Sequence, residues 1–172
     1  MSNKVKAIWA IALLVVMILF GIGSFVLGKN STAVEIGEPA PDFTLMDLND
    51  NEVSLSDYRG QPVMLNFFAT WCDPCIEEAP DIQKFQENYG DKIKILIIDR
   101  AEPKVLVEEF VKKNGSSSTY LLDINNSLSR PYGVIGQPET FYIDKNGIVR
   151  EHIKGPLKYE KFIDYYEKVS KY

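Results

Sequence analysis

The feature that most restricts this 172-residue chain is a pair of cysteines, Cys72 and Cys75, set three positions apart directly after the apolar run PVMLNFF (62–68). They are its only two cysteines. A continuous apolar run of that length reads as a strand buried on both faces. The residues after it have helical spacing to about Tyr89, so the thiols lie where a strand turns into a helix. Projected at about 100° per residue, Ala79, Ile82, Phe85 and Tyr89 form one apolar stripe. Cys75 falls inside that stripe and Cys72 on its edge, at the helix N-terminus. Glu78 turns toward the core, whereas Asp73, Glu77, Asp81 and Lys84 turn away from it.

A thiol at a helix N-terminus meets the positive end of the helix dipole and unpaired N–H groups, both of which favour the nucleophilic thiolate. A second, less exposed thiol one turn on is placed to resolve a mixed disulfide formed at the first. Two plainer readings compete. A static disulfide across so short a loop gains little chain entropy. A zinc site needs about four ligands, and the single histidine, His152, lies far along the chain on a strand. The cysteine pattern therefore favours a redox pair.

The remaining segments read as α/β. DFTLMDL and NEVSL predict a β-hairpin with NDN between them, and SLSDYRG a short helical turn ended by Gly60. KIKILIID (92–99) is a second buried strand. EPKVLVEEFVKKNG (102–115) is a helix with Val105, Leu106, Phe110 and Val111 as its apolar positions and Gly115 as its stop. TYLLD (119–123) is a short strand and NNSLSRPYGV a short helix or turn. ETFYID (139–144), KNG and IVREHIK form an Asn-Gly hairpin. The last segment is a helix, apolar at Tyr159, Phe162, Ile163 and Tyr166. Pro74 fits the first turn of its helix, and Pro80 predicts a kink in it. Strands alternating with helices and closing on a hairpin give one sheet with parallel and antiparallel pairs.

The first residues are a different material. From Ala7 to Leu27 the sequence carries no charge, and about 20 apolar residues cross a bilayer core. Lys4 and Lys6 precede the stretch and favour a cytoplasmic N-terminus. It is longer than the apolar part of a signal peptide and lacks an A-x-A-like site. The expected organisation is a cytoplasmic segment 1–6, a transmembrane anchor 7–27, a linker 28–36 and a domain 37–172 on the extracytoplasmic side. With a formal net charge of −5, the chain lacks the basic footprint of a nucleic-acid binder.

The block APDFTLMDLNDNEVSLSDYRGQPVMLNFFATWCDPCIEEAP, followed by YGVIGQPETFYIDKNG, resembles the membrane-anchored ResA/TlpA type of extracytoplasmic thiol–disulfide oxidoreductase, in the thioredoxin superfamily. That resemblance implies a thioredoxin-like fold: a mixed central sheet flanked by helices, with an N-terminal β-hairpin extension and an insertion at about 100–120. It implies a redox-active Cys72–Cys75 disulfide within the motif Trp71, Cys72, Asp73, Pro74, Cys75. A cis bond between Gln137 and Pro138 would lie beside the cysteines, its backbone pairing with bound substrate. Glu78 falls on the family's acidic position, where a buried carboxyl would carry the proton that Cys75 must lose and regain. Trp71, Asp73, Pro74, Gln137 and Pro138 would meet the substrate, with Trp71 flanking the first thiol or serving only as a core aromatic. No cofactor is implied. The partners implied are disulfides in exported proteins, with apocytochrome c or spore-envelope proteins as substrates, and a polytopic thiol carrier of the CcdA/DsbD kind as electron donor.

Asp73 departs from the Gly-Pro or Pro-Pro seen in many relatives. A negative charge beside Cys72 disfavours a second one and offsets part of the dipole effect, which points to a reductant rather than a strong oxidant. Two other activities compete. A peroxidase of the peroxiredoxin type would carry Thr or Ser three residues before its cysteine and an Arg partner; Ala69 stands there, and the following helix has no Arg. A non-catalytic binding module would have little use for both cysteines and Pro138. The topology has a direct check: after mild reduction, a membrane-impermeant thiol reagent should label the chain on intact cells, and labelling that needs lysis would overturn it.

Overall fold

The computed structural model describes residues 33–172 and, before them, Trp9 and Leu13. Apart from those two residues, the anchor expected at 7–27 lies outside the described residues. No described helix is long and apolar enough to cross a membrane. The chain divides into Met1–Thr32 and Ala33–Tyr172, and the sheet with its packed helices belongs to the second unit.

In chain order the elements are β1 (Thr44–Asp47), β2 (Glu52–Ser54), a 3-10 turn (Leu55–Tyr58), β3 (Val63–Phe68), α1 (Asp73–Tyr89), β4 (Lys94–Arg100), α2 (Lys104–Asn114), β5 (Thr119–Asp123), α3 (Ser129–Tyr132), β6 (Glu139–Ile143), β7 (Val149–Lys154) and α4 (Tyr159–Val169). They form one seven-stranded sheet in the order β2-β1-β5-β4-β3-β6-β7. β3, β4 and β5 are parallel neighbours, while β6 runs antiparallel to β3. This is the mixed sheet expected from the sequence, with the β1–β2 hairpin added antiparallel to β5.

Topology decides which face each helix covers. Strands β3, β4 and β5 succeed one another in space as in sequence, so two right-handed crossovers in the same direction put α1 and α2 on one face. The core there joins Met64 and Phe68 of β3 to Ile82 and Phe85 of α1, Val107 and Phe110 of α2, and Phe162 of α4. Strand alternation sends Val63, Leu65 and Phe67 to the other face. There they meet Phe43, Leu55, Leu128 and Tyr132. Asn66, between Met64 and Phe68 in the alternation, is thus carried into the α1 face, fully buried.

α1 runs unbroken through Pro80 from Asp73 to Tyr89. α2 stops at Gly115 as expected, with the left-handed φ of 62° that favours glycine at a cap. Its buried face differs from the expected one. Val107 and Phe110 are buried, whereas Val105 and Leu106 are 54% and 43% exposed. The run VLV offers three apolar positions in a row, and only Val107 shares a stripe with Phe110, Val111 and Asn114 at spacings of three, four and seven. Phe110 then packs on Phe68, with ring centroids 4.7 Å apart. In urea unfolding, Phe110→Ala should cost about 3–5 kcal/mol, and Val105→Ala less than about 0.5 kcal/mol.

Candidate active site

Cys72 caps α1. Its backbone is extended, at φ −88° and ψ 103°, and Pro74 sits within the first turn, where its missing N–H leaves no partner unsatisfied. The two cysteines form a disulfide with Cα atoms 5.2 Å apart. The Cys75 N–H also donates to Cys72 Sγ at 3.3 Å, so a free helix-end donor points at the first sulfur. Cys72 is 5% exposed and Cys75 1%. The order of exposure matches the helix projection, but Cys72 is more enclosed than an edge position led us to expect. The Gln137 carbonyl oxygen lies against it, 3.6 Å from Cys72 Sγ. Trp71, 67% exposed, is not a core aromatic; with Asp73 and Pro74 it forms the exposed rim before and over the disulfide.

The Gln137–Pro138 bond is cis, as the resemblance implied. Two supports hold its loop, and neither was evident from the sequence. On one side, Arg100 Nη1 donates to Gln137 Oε1, and Arg100 Nε donates to Asn126 at 3.2 Å. On the other, Glu139 is 3% exposed and accepts from Ile135 N at 2.9 Å and Gly136 N at 3.0 Å. Its second oxygen meets His152 Nε2 at 2.6 Å. Burial alone would raise the Glu139 carboxyl, but the Gly136 N–H, His152 and the Ile135 N–H together hold it below the usual carboxylate range. His152, set aside as a metal ligand, stacks on Phe141 with centroids 3.9 Å apart.

Another buried acid steadies the approach to Cys72. Glu102 accepts from Thr70 N at 2.6 Å and from Thr70 Oγ1 at 2.5 Å. Its own N–H donates to Asp99 Oδ2 at 3.1 Å. Burial, then a hydrogen bond with Glu102 and the nearby charges of Glu102 and Asp123, raise Asp99 well above the ordinary range.

Glu78 is 1% exposed, as the projection placed it, and Glu77 is exposed. It follows Cys75 by three residues on one face of α1, the spacing at which helical side chains are neighbours. Leu157 N donates to Oε1 at 2.6 Å and Asn66 Nδ2 to Oε2 at 3.1 Å. Desolvation dominates over both bonds and pushes the carboxyl up to about 7. The one local signal for Asn66 was a lone polar residue inside VMLNFF.

Residues 36–152 match the AhpC/TSA family. The ResA thiol-disulfide oxidoreductase of Geobacillus thermodenitrificans is 39% identical over 81% of this chain and 80% of its own length. That of Bacillus anthracis is 33% identical over 91% and 94%. This chain belongs to the ResA-type thiol-disulfide oxidoreductases. The fold agrees. A thioredoxin-family thiol:disulfide interchange protein from Chlorobium tepidum superposes with a TM-score of 0.71 at 26% identity, covering 80% of this chain and 99% of that one. StoA from Bacillus subtilis superposes with a TM-score of 0.65 at 25% identity, covering 73% and 96%. The ResA-type fold is thioredoxin-like here as expected, and the chain is an enzyme of thiol–disulfide exchange.

The raised Glu78 sets a pH dependence of stability. Between its ordinary value of 4.5 and about 7, the folded state binds a proton that the unfolded state does not. Stability therefore falls as pH rises through that window, by on the order of 3 kcal/mol in total. Glu78→Gln removes this term. The difference in urea stability between the variant and the parent, disulfide intact, should move in the variant's favour from pH 4.5 to 7 and then level off. A difference that is flat with pH would show Glu78 to be titrating normally.

Proposed function

We propose that the Cys72–Cys75 pair reduces disulfides in exported proteins, apocytochrome c among them, with Glu78 as its proton carrier. The observation that carries this reading is a buried carboxyl with a value of about 7, one helical turn from a disulfide at a helix N-terminus. In the reductive direction, Cys72 as thiolate attacks one substrate sulfur and the other leaves as a thiolate. Cys75 then attacks Cys72 Sγ and releases, also as a thiolate, the substrate sulfur that Cys72 had attacked. Two electrons pass to the substrate, and the Cys72–Cys75 disulfide remains. Glu78 takes the Cys75 proton and returns it when the pair is reduced again. Trp71, Asp73, Pro74 and Gln137 form the rim against which the substrate chain lies, and Pro138, which is buried, follows Gln137 in the same loop.

The charge of Asp73 beside Cys72 supports the reducing direction. The charge-free 7–27 stretch supports a retained anchor with the domain outside the cytoplasm. A pair that gives electrons there needs a donor across the membrane, which a thiol carrier of the CcdA/DsbD kind would supply.

Trapping tests the roles. Cys75→Ser should accumulate mixed disulfides through Cys72 and name the substrates, apocytochrome c or spore-envelope proteins, while Cys72→Ser should trap none; the reverse pattern would exchange the two roles. Glu78→Gln should slow resolution by roughly 10²-fold and shift the pH profile of thiol alkylation, with Glu77→Gln unchanged. Peroxide should be assayed beside insulin. Stoichiometric consumption of peroxide without reduction of insulin would favour the peroxidase instead.

A further inference from the structure

Asn66 lies at the midpoint of β3, fully buried, and its two ends are treated unequally. Nδ2 donates twice, to Glu78 Oε2 at 3.1 Å and to Thr140 Oγ1 at 3.0 Å. Thr140 is its direct partner in the β3–β6 register. Oδ1 is buried and meets no hydrogen-bond donor among the described residues. A buried acceptor left unpaired is costly, and most side chains of this kind find a partner. An amide has the same shape either way round, so the orientation is set by what it faces.

What it faces is a carboxyl with two protonation states. The ionised form only accepts, and the present orientation serves it: Leu157 N–H on Oε1, Asn66 N–H on Oε2. The protonated form must donate. Leu157 N–H is a backbone donor that occupies Oε1, so the added proton belongs on Oε2. There it meets an N–H that has nothing to accept with. Asn66 is the one hydrogen-bond partner of Oε2 among the described residues. Turning the amide over would bring Oδ1 to the position now held by Nδ2, as an acceptor for the Glu78 O–H. The Thr140 hydroxyl can accept from Nδ2 or donate to Oδ1 and so suits either orientation. At its far end the amide loses no hydrogen bond in the turn, since Oδ1 has no partner there among the described residues.

We infer that the side-chain amide of Asn66 reverses with the protonation of Glu78, donating to the carboxylate and accepting from the acid, with Thr140 as the hydroxyl that serves both states. Asn66 is thus a positioning residue for the proton carrier. It lets a single buried site satisfy both forms, which a fixed donor or a fixed acceptor could not. The inference rests on the proton-carrier reading of Glu78. The charged and titratable groups facing Glu78 are Asp81 on its own helix, Lys158 at the start of α4 and Tyr142 on β6. None of them is a hydrogen-bond partner of Oε2, which leaves Asn66 to answer the change.

The test uses the full-length chain in detergent, disulfide intact, labelled with 15N at asparagine and with 13C at the glutamate carboxyls. The Glu78 carboxyl shift gives its titration directly between pH 5 and 9. Contacts between the Asn66 side-chain amide protons and the Thr140 side chain, read as nuclear Overhauser effects, give the orientation. These contacts are expected above the Glu78 midpoint and should be lost below it, with the amide resonances moving at the same midpoint. In Glu78→Gln both should be independent of pH. If Glu78 titrates in this range while the Asn66–Thr140 contacts stay constant, the reversal is overturned and the proton-carrier reading stands. If Glu78 itself does not titrate there, both fall.

Discussion

Strand β3 has its backbone groups taken on both edges, by β4 in parallel and by β6 in antiparallel register. Its side chains are buried on both faces from Val63 to Phe68. A backbone held this way can neither slide nor turn, because a slip of one residue would exchange the two faces along its whole length. The position of Cys72 follows. The chain leaves the end of β3, is fastened at Thr70 by Glu102, and enters α1 with Cys72 at its cap. The same strand delivers Asn66 to Glu78 from below. Scaffold and chemistry therefore share one element, and a defect in β3 would reach the disulfide and Glu78 together.

Three buried carboxyls near the disulfide show what decides a titration in so dry a place. Burial pushes all three upward. Glu139 is brought back below the ordinary range because two loop N–H groups and His152 converge on it. Glu78 has only two donors, at 2.6 and 3.1 Å, and stays near neutrality. Asp99 accepts one backbone N–H, faces two other carboxyl groups and is raised, its Oδ1 without a partner among the described residues. Donor count against desolvation separates a structural carboxylate, which fixes a loop, from an acid able to exchange its proton near pH 7.

The parts of this arrangement that could be read in the sequence are those set by local period and short spacing. The apolar run 62–68, the thiols at the following helix, the inward turn of Glu78 and the hairpin at Asn146–Gly147 are all of this kind. The α2 face was misjudged because VLV gives a helix three apolar positions in succession, and the choice among them falls to tertiary packing against Phe68 and Tyr120. Arg100, Glu102, Glu139 and His152 were silent for a different reason. Arg100 and Glu102 act on residues far away in the chain and His152 acts across a hairpin, while Glu139 holds loop amides only three and four residues before it; a charged residue near the end of a strand looks the same in sequence whether it faces water or a buried loop amide. Asn66 gave a local signal, a polar residue amid an apolar strand, but its partner was legible only from the pairing of β3 with β6.

The environment of Cys72 Sγ brings these contributions to one atom. One helix-end donor, the Cys75 N–H at 3.3 Å, favours negative charge on it. Two features oppose that charge. Asp73 follows it directly, and the Gln137 carbonyl directs the negative end of its dipole at the sulfur from 3.6 Å. That carbonyl is not free to withdraw, since Arg100 holds its side chain and Glu139 holds the two amides before it. A sulfur with one fixed donor and two fixed repulsions gains less as a thiolate than one at an unopposed helix N-terminus. A weakly stabilised thiolate makes the dithiol state the less favoured one, and a dithiol that is less favoured gives its electrons away more readily. The loop beside the disulfide thereby also supports the proposed reducing direction of the exchange.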